Sequence, residues 1–274
     1  MKTRSARRTR RMVQVAGAGA AALLALSACS SSSDSSSSPK PDSSSPSQAL
    51  SGTVTVFAAA SLKESFTTLG QEFEKRHPGT KVSFNFGGSD TLAASITGGA
   101  PADVFAAASP KTMAIVTDKN GAAGTPTTFV RNQLEIATLP GNPDTVASLK
   151  DLTKSGLKVV LCDRTVPCGA AAQKALEASN LKLTPVSYEQ DVKSALTKVE
   201  LKEADAAVVY KTDVKAAGGK VEGVEFPESA EAVNDYPIVL LKNAPNTEAA
   251  KAFIALVGSA EGRKVLTDAG FLQP

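Results

Sequence analysis

The sequence predicts an α/β protein of two lobes, each a mainly parallel β-sheet flanked by helices, and three observations carry that prediction. The first is alternation. "GTVTVFAAA" (52–60) is an almost unbroken apolar run, as a strand covered on both faces requires, and "SLKESFTTLGQEFEKRHP" then places Leu62, Phe66, Leu69 and Phe73 at helical spacing and stops before Pro78. A strand over Lys81–Phe86, a helix over Asp90–Thr97 and the strand "ADVFAAA" complete strand, helix, strand, helix, strand within about 55 residues, the pattern of a parallel sheet. The second is recurrence: a strand runs into a helix start in "VFAAAS|LKESF", "FNFGGS|DTLAAS", "VVLCDRTVPC|GAAAQKAL" and "SYEQD|VKSALTKV". The third is length, because the 223 residues from Gly52 to Pro274 carry more strands than one small sheet holds.

The remaining elements follow in order. "TTFVRNQLEIATLP" reads as a strand, "SLKDLTKSG" as a short helix, "LKVVLCD" as a strand and "GAAAQKALEASN" as a helix. "VSYEQDVKSALTKVELKEA" reads as a helix, "DAAVVYKTD" as a strand, "YPIVLLK" (236–242) as a strand, and Thr247–Leu256 and Glu261–Ala269 as helices. No internal repeat is evident in the residues. With 5% aromatic content and no Trp, both cores must be built from Val, Leu, Ala and Phe.

The N-terminus is of another kind. Six basic residues (Lys2, Arg4, Arg7, Arg8, Arg10, Arg11) precede the apolar run Met12–Leu26 and then "LSAC", which has the form of a lipoprotein signal, 1–28, cut before a lipidated Cys29. The apolar run is short for a membrane-spanning helix of about 20 residues, and "TRRMVQ" resembles a twin-arginine export signal. Residues 29–51, dominated by Ser and Pro, have almost nothing to bury and read as a flexible tether. Removing the six positive charges turns a formal +3 into about −3, so the basic pI belongs to the signal and gives no reason to expect a nucleic-acid partner.

The chemistry-bearing stretch is "VSFNFGGSDTLAAS", a strand, two glycines and a helix start. Helix N-termini at the carboxyl edge of parallel strands gather unpaired N–H groups into an anion site. A nucleotide loop lacks its G-K-[ST] and G-x-G-x-x-G, and a serine hydrolase lacks a G-x-S-x-G elbow. His77, the single histidine, ends a helix and is expected at the surface. Each serine or aspartate could instead merely cap its own helix. Pairing Ser61 with Lys63, or Ser89 with some lysine, would be the serine–lysine hydrolase alternative. Iron binding would need clustered tyrosines, and Tyr188, Tyr210 and Tyr236 are far apart in sequence. Arg131 and Arg164 are expected in surface or interlobe ion pairs.

With these motifs, "TVFAAASLKESFTTLGQEFEKRHPGTKVSFNFGGSDTLAASITGGAPADVFAAAS", "VPCG", "DVKSAL", "ADAAVVYKTD" and "YPIVLLK" in order over Thr53–Gln273, the sequence closely resembles molybdate-binding proteins of molybdate import systems, within the type II periplasmic binding protein superfamily. The resemblance implies two α/β lobes joined by two crossover segments: 52–129 plus 236–274, and 130–235. It implies an oxyanion ligand held by Ser61 and Ser89 through hydroxyl and N–H, by the N–H groups of Cys168 and Val192, and by the Tyr210 hydroxyl. The segment that follows the second helix, "GGAPADVFAAAS", reads as scaffold. The implied protein is not an enzyme and has no cofactor. It is a monomer lipid-anchored outside the cytoplasmic membrane, capturing molybdate or tungstate for a permease dimer and its cytoplasmic ATPase. A receptor for sulfate or another tetrahedral oxyanion is the alternative in the same class, and a non-transport binding module the alternative outside it. In that exported setting Cys162 and Cys168, six apart across a Pro-containing loop, are expected to form a disulfide. Their use as metal ligands would need a third and fourth ligand that the neighbourhood lacks.

Overall fold

The computed structural model describes residues 49–274; the signal segment, Cys29 and the tether up to residue 48 lie outside the described residues. β1 (Gly52–Ala59) is buried along Val54–Ala59 apart from the half-buried Thr55, and the half-turn Ala60–Leu62 leads into α1 (Lys63–Arg76). That helix buries Phe66, Leu69 and Phe73 as the spacing predicts. It stops at His77, whose N–H donates to the Phe73 carbonyl and whose ring lies 4.7 Å from the Phe73 ring. β2 (Thr80–Gly87), α2 (Ser89–Thr97), β3 (Val104–Ala106) and α3 (Pro110–Thr117) follow; α3 is an element the pattern did not reveal.

β4 (Thr127–Asn132) and β5 (Leu134–Thr138) correct the single strand expected over "TTFVRNQLEIATLP". They belong to different sheets, and only Gln133 separates them. At the break the Asn132 carboxamide oxygen accepts the Gln133 N–H (3.0 Å), standing in for a ladder partner. Beyond β6 (Val159–Cys162) and α4 (Pro167–Ala178), the helix expected from Val186 is also corrected. Ser187–Glu189 is β7, paired in parallel with β6, and α5 (Val192–Glu200) begins only after Asp191, whose carboxylate accepts the Ser194 N–H at 2.8 Å and caps it. Similarly β8 (Ala206–Tyr210) ends at the tyrosine and Lys211–Ala217 is α6. The chain then forms β9 (Glu222–Val224), β10 (Asn234–Leu240), α7 (Thr247–Gly258) and α8 (Ala260–Asp268).

The strand order is β2-β1-β3-β10-β4 in one sheet and β7-β6-β8-β5-β9 in the other. In the first, β10 alone runs against its neighbours; in the second, β5 does. The first sheet therefore reaches Asn132 and resumes at Asn234, rather than ending at Phe129 and resuming at Tyr236. Arg131 and Asp235, opposite each other on β4 and β10, form a half-exposed ion pair at 2.6 Å beside the crossovers. Leu50 packs on the first core and the Asn246 side chain donates to the Ser51 carbonyl, so the last expected tether residues are held.

The two cores differ in material. Around the first sheet, Phe66, Phe73, Phe84 and Phe253 meet at tilted or edge-on angles. Around the second, Val, Leu and Ala dominate, with Phe226 its one phenylalanine.

Candidate functional site

The carboxyl ends of β1, β2 and β3 face those of β6, β7 and β8 across a small, tight cleft. The two lobes meet around it. Ser61 and Ser89 come from the first and Cys168, Val192 and Tyr210 from the second; all five line the cleft and none is more than 4% exposed. The structure thus brings together the whole set expected from sequence. Ala108 also lines it, so the stretch read as scaffold contributes to the wall as well.

Backbone geometry supplies much of its character. Ser89 and Val192 are the first residues of α2 and α5, and Cys168 is the second of α4, so their N–H groups have no carbonyl partner within their own helices. No side chain caps the starts of α1, α2 or α4, whereas Ser109 caps α3 and Ser259 caps α8, both away from the cleft. Helix starts left open toward a common point present partial positive charge there. Among the described residues Asp191 is the one acid on the wall, and its carboxylate is engaged in capping α5. None of the described Lys, Arg or His residues lines the cleft.

The hydroxyls are poised as donors. The Ser89 oxygen accepts the Ala108 N–H at 3.0 Å, leaving its proton for the cleft. Ser61 Oγ lies 2.8 Å from the Tyr236 hydroxyl, and Asn132 Nδ2 donates to the same tyrosine at 3.4 Å and to Thr212 Oγ1 at 2.8 Å. With the Tyr236 hydroxyl donating this hydrogen bond to Ser61 Oγ, the Ser61 proton is likewise free. The Tyr210 oxygen accepts from Asn234 Nδ2 at 2.7 Å. Burial, and after it the neighbouring Tyr236, pushes the Tyr210 phenol well up, and burial also raises Tyr236, so both hold their protons throughout the physiological range. Asn132, Asn234 and Tyr236 are the residues sequence reasoning missed. They flank the crossovers, and nothing in their local pattern marks them.

Two further features fix the lobes. Cys162, at the end of β6, and Cys168 form the expected disulfide, with Cα atoms 5.8 Å apart. Next to it, a side chain on Gly169 would meet the Asp163 carbonyl oxygen at 2.0 Å, so α4 starts pressed against the strand end. Across the lobes, Lys193 Nζ lies 3.0 Å from Glu64 of α1 and 3.0 Å from the fully buried Asp213 of α6. Burial pushes the Asp213 carboxyl up to about 6 despite the lysine. Burial pulls Lys193 down, but the two carboxylates more than offset it and leave the ammonium raised. Gly88 faces the other lobe directly: a Cβ there would sit 2.5 Å from the Gln190 carbonyl oxygen, although its φ of −61° and ψ of 132° suit any residue.

Among the described residues no group of three or more His, Cys, Asp or Glu could hold a metal ion.

Comparison with known proteins agrees with this geometry. A family model described as bacterial extracellular solute-binding protein matches residues 54–272. The molybdate-binding protein ModA of Mycobacterium tuberculosis is 43% identical over 222 residues, covering 81% of this chain and 85% of the relative. The solved periplasmic molybdate-binding protein of Azotobacter vinelandii aligns with a TM-score of 0.71 at 20% identity, covering 81% of this chain and 99% of that one. The sulfate-binding protein SubI from Mycobacterium tuberculosis aligns with a TM-score of 0.68 at 17% identity, over 80% and 86%. The last two likenesses show a shared fold and do not choose between their ligands. The model match over nearly all of the described residues, together with the 43% relative, is decisive: the chain belongs to the bacterial extracellular solute-binding protein family.

Proposed function

We propose that this protein is the receptor of an ATP-driven importer, capturing molybdate, and tungstate with it, between its two lobes and presenting the closed form to a permease dimer driven by a cytoplasmic ATPase. Ser61, Ser89, Cys168, Val192 and Tyr210 are the ligand contacts in this reading. The observation that carries it is the polarity of the cleft: its hydroxyls have their oxygens already engaged, its helix starts offer N–H groups, and its single acid is occupied. Molybdate and tungstate are fully ionised near neutral pH and offer only acceptors. Each hydrogen bond to such a charge contributes roughly 1.5 to 3 kcal/mol, which lets a neutral site hold a dianion. Hydrogen phosphate would need an acceptor for its own proton. The 43% identity to a protein named for molybdate favours molybdate over sulfate.

The protein acts as a monomer on the outer face of the cytoplasmic membrane, held by a lipid on Cys29. "LSAC" after a basic and apolar leader supports this anchor. Replacing Cys29 by serine then shifts the protein from the membrane fraction to the soluble one; an unchanged membrane fraction removes the anchor from the reading. Titration calorimetry of ligand-stripped protein tests the ligand: submicromolar molybdate and tungstate, with sulfate and phosphate orders of magnitude weaker. Absence of molybdate heat rejects the proposal, and sulfate binding as tight as molybdate makes it an oxyanion receptor of broader range.

A further inference from the structure

Asn234 begins β10, on the first-lobe side of the second crossover, and its side chain reaches three oxygens. Its Nδ2 lies 3.0 Å from the Ala108 carbonyl in the first lobe, 3.3 Å from the Pro167 carbonyl in the second, and 2.7 Å from the Tyr210 hydroxyl in the second. Carbonyl oxygens only accept, so they fix which end of the carboxamide faces them: the nitrogen. A nitrogen so placed can only donate to the tyrosine, and the Tyr210 proton is thereby turned away from Asn234, to the side where the cleft and the neighbouring Tyr236 hydroxyl lie. Ala108, in turn, is the residue whose N–H engages the Ser89 oxygen, so one carboxamide adjoins both an expected first-lobe donor and an expected second-lobe donor.

We propose that Asn234 is a positioning residue for anion capture: it clasps the two lobes when they close and commits the Tyr210 hydroxyl to donating. The Ala108 carbonyl, in the same lobe as Asn234, holds the nitrogen end of the carboxamide in place, and the Pro167 carbonyl and Tyr210 hydroxyl reach it from the other lobe, so the polarising contact to the tyrosine is one that spans the lobes. This rests on the oxyanion reading above.

The two isosteric roles a side chain could have here predict opposite orders. If Asn234 merely fills space, aspartate, which has its shape, is tolerated better than alanine. If it donates, aspartate places a carboxylate against two carbonyl oxygens and turns the Tyr210 proton back toward itself, and is worse than alanine. The experiment is calorimetry with molybdate on wild type, Asn234→Ala, Asn234→Asp, Tyr210→Phe and the Asn234→Ala/Tyr210→Phe double variant, each checked for folding by circular dichroism. The expected result is about a tenfold loss in Asn234→Ala, a further loss of at least tenfold in Asn234→Asp, and little added loss from Asn234→Ala once Tyr210 is phenylalanine, as coupled partners require. The alanine variant and the double-variant cycle keep the test intact if Asn234→Asp misfolds. Wild type that binds molybdate, with aspartate no worse than alanine or with losses that simply add, overturns this inference and leaves the ligand standing. Wild type that gives no molybdate heat overturns the ligand, and the inference with it.

Discussion

The two lobes have one topology and two chemistries. β1-α1-β2-α2-β3-α3 in the first corresponds to β6-α4-β7-α5-β8-α6 in the second, and β10 and β5 are the reversed strands at matching places in the two sheets. The cleft residues fall into pairs under that correspondence: Ser61 with Cys168 at the first helix starts, Ser89 with Val192 at the second, Ala108 with Tyr210 at or just past the ends of the third strands. Yet in the first two pairs the first lobe presents serine hydroxyls where the second presents bare backbone, and in the third the second lobe presents the Tyr210 hydroxyl opposite Ala108. The interiors diverge too: nine of the ten phenylalanines belong to the first lobe, while the second relies on small aliphatic residues and a disulfide. Position in the fold fixes where a donor must stand, and leaves open whether a side chain or the main chain supplies it.

The largest test of that equivalence removes donors from each side. Ser61→Ala with Ser89→Ala should cost the two hydroxyl bonds, about 3 to 6 kcal/mol, or some hundredfold to ten-thousandfold in molybdate affinity by calorimetry. The matching loss in the second lobe is Val192→Pro. Proline is accepted at the first position of a helix and has no N–H, so α5 should persist while one donor disappears, a loss of about tenfold to a hundredfold. Full affinity in Val192→Pro would break the pairing of the lobes.

Next in size is the contrast between their buried aspartates. Asp103 in the first lobe accepts the N–H groups of Thr55 at 2.7 Å and Asn246 at 2.6 Å. Asp213 in the second lobe has its carboxyl raised by burial from 3.8 to about 6. Between those values the folded protein holds a proton that the unfolded chain has released, so Asp213 makes stability rise as pH falls through about 6, with the gain complete near 4. The amount is on the order of 2 to 3 kcal/mol. Denaturation of wild type and Asp213→Asn from pH 7 to 4 should show the difference widening in favour of wild type toward low pH; a constant difference would refute the assignment.

The smallest expected effect is that of reducing Cys162–Cys168. Its closed loop is short, and the loop entropy it removes is worth about 2 kcal/mol. Because the bond ties the end of β6 to the helix start carrying the Cys168 N–H, affinity should fall several-fold on reduction, a loss that calorimetry resolves ahead of any change in secondary structure. Unaltered affinity would make the bond a staple only.

Part of this is legible in the order of residues and part is not, for physical reasons. Helix starts and serines are local: "AAASL" and "FGGSDTL" carry their own turn and hydroxyl, so the strand-to-helix turns at Ser61 and Ser89 can be read from the chain alone, while choosing those serines as ligand contacts over helix caps takes the family resemblance. The correspondence of the lobes cannot, because it resides in strand order, which a Phe-rich and a Val-rich core satisfy equally. The β4–β5 changeover is hidden because no Gly or Pro marks it: strand-compatible residues run on from Thr127 to Thr138, and a lone Gln133 carries the chain between sheets. Asn132 and Asn234 are hidden because their partners are remote, Thr212 lying 80 residues from the first and Pro167 lying 67 from the second.

Gly88 against the Gln190 carbonyl has a mechanical meaning. Main chain there meets main chain, and neither can yield by changing rotamer. A jaw that closes onto such a stop has a minimum gauge, set at a point beside the cleft rather than by the donors within it. An anion narrower than that gauge would gain nothing from further closure, and any side chain placed at position 88 would widen the gauge by holding the Gln190 carbonyl away.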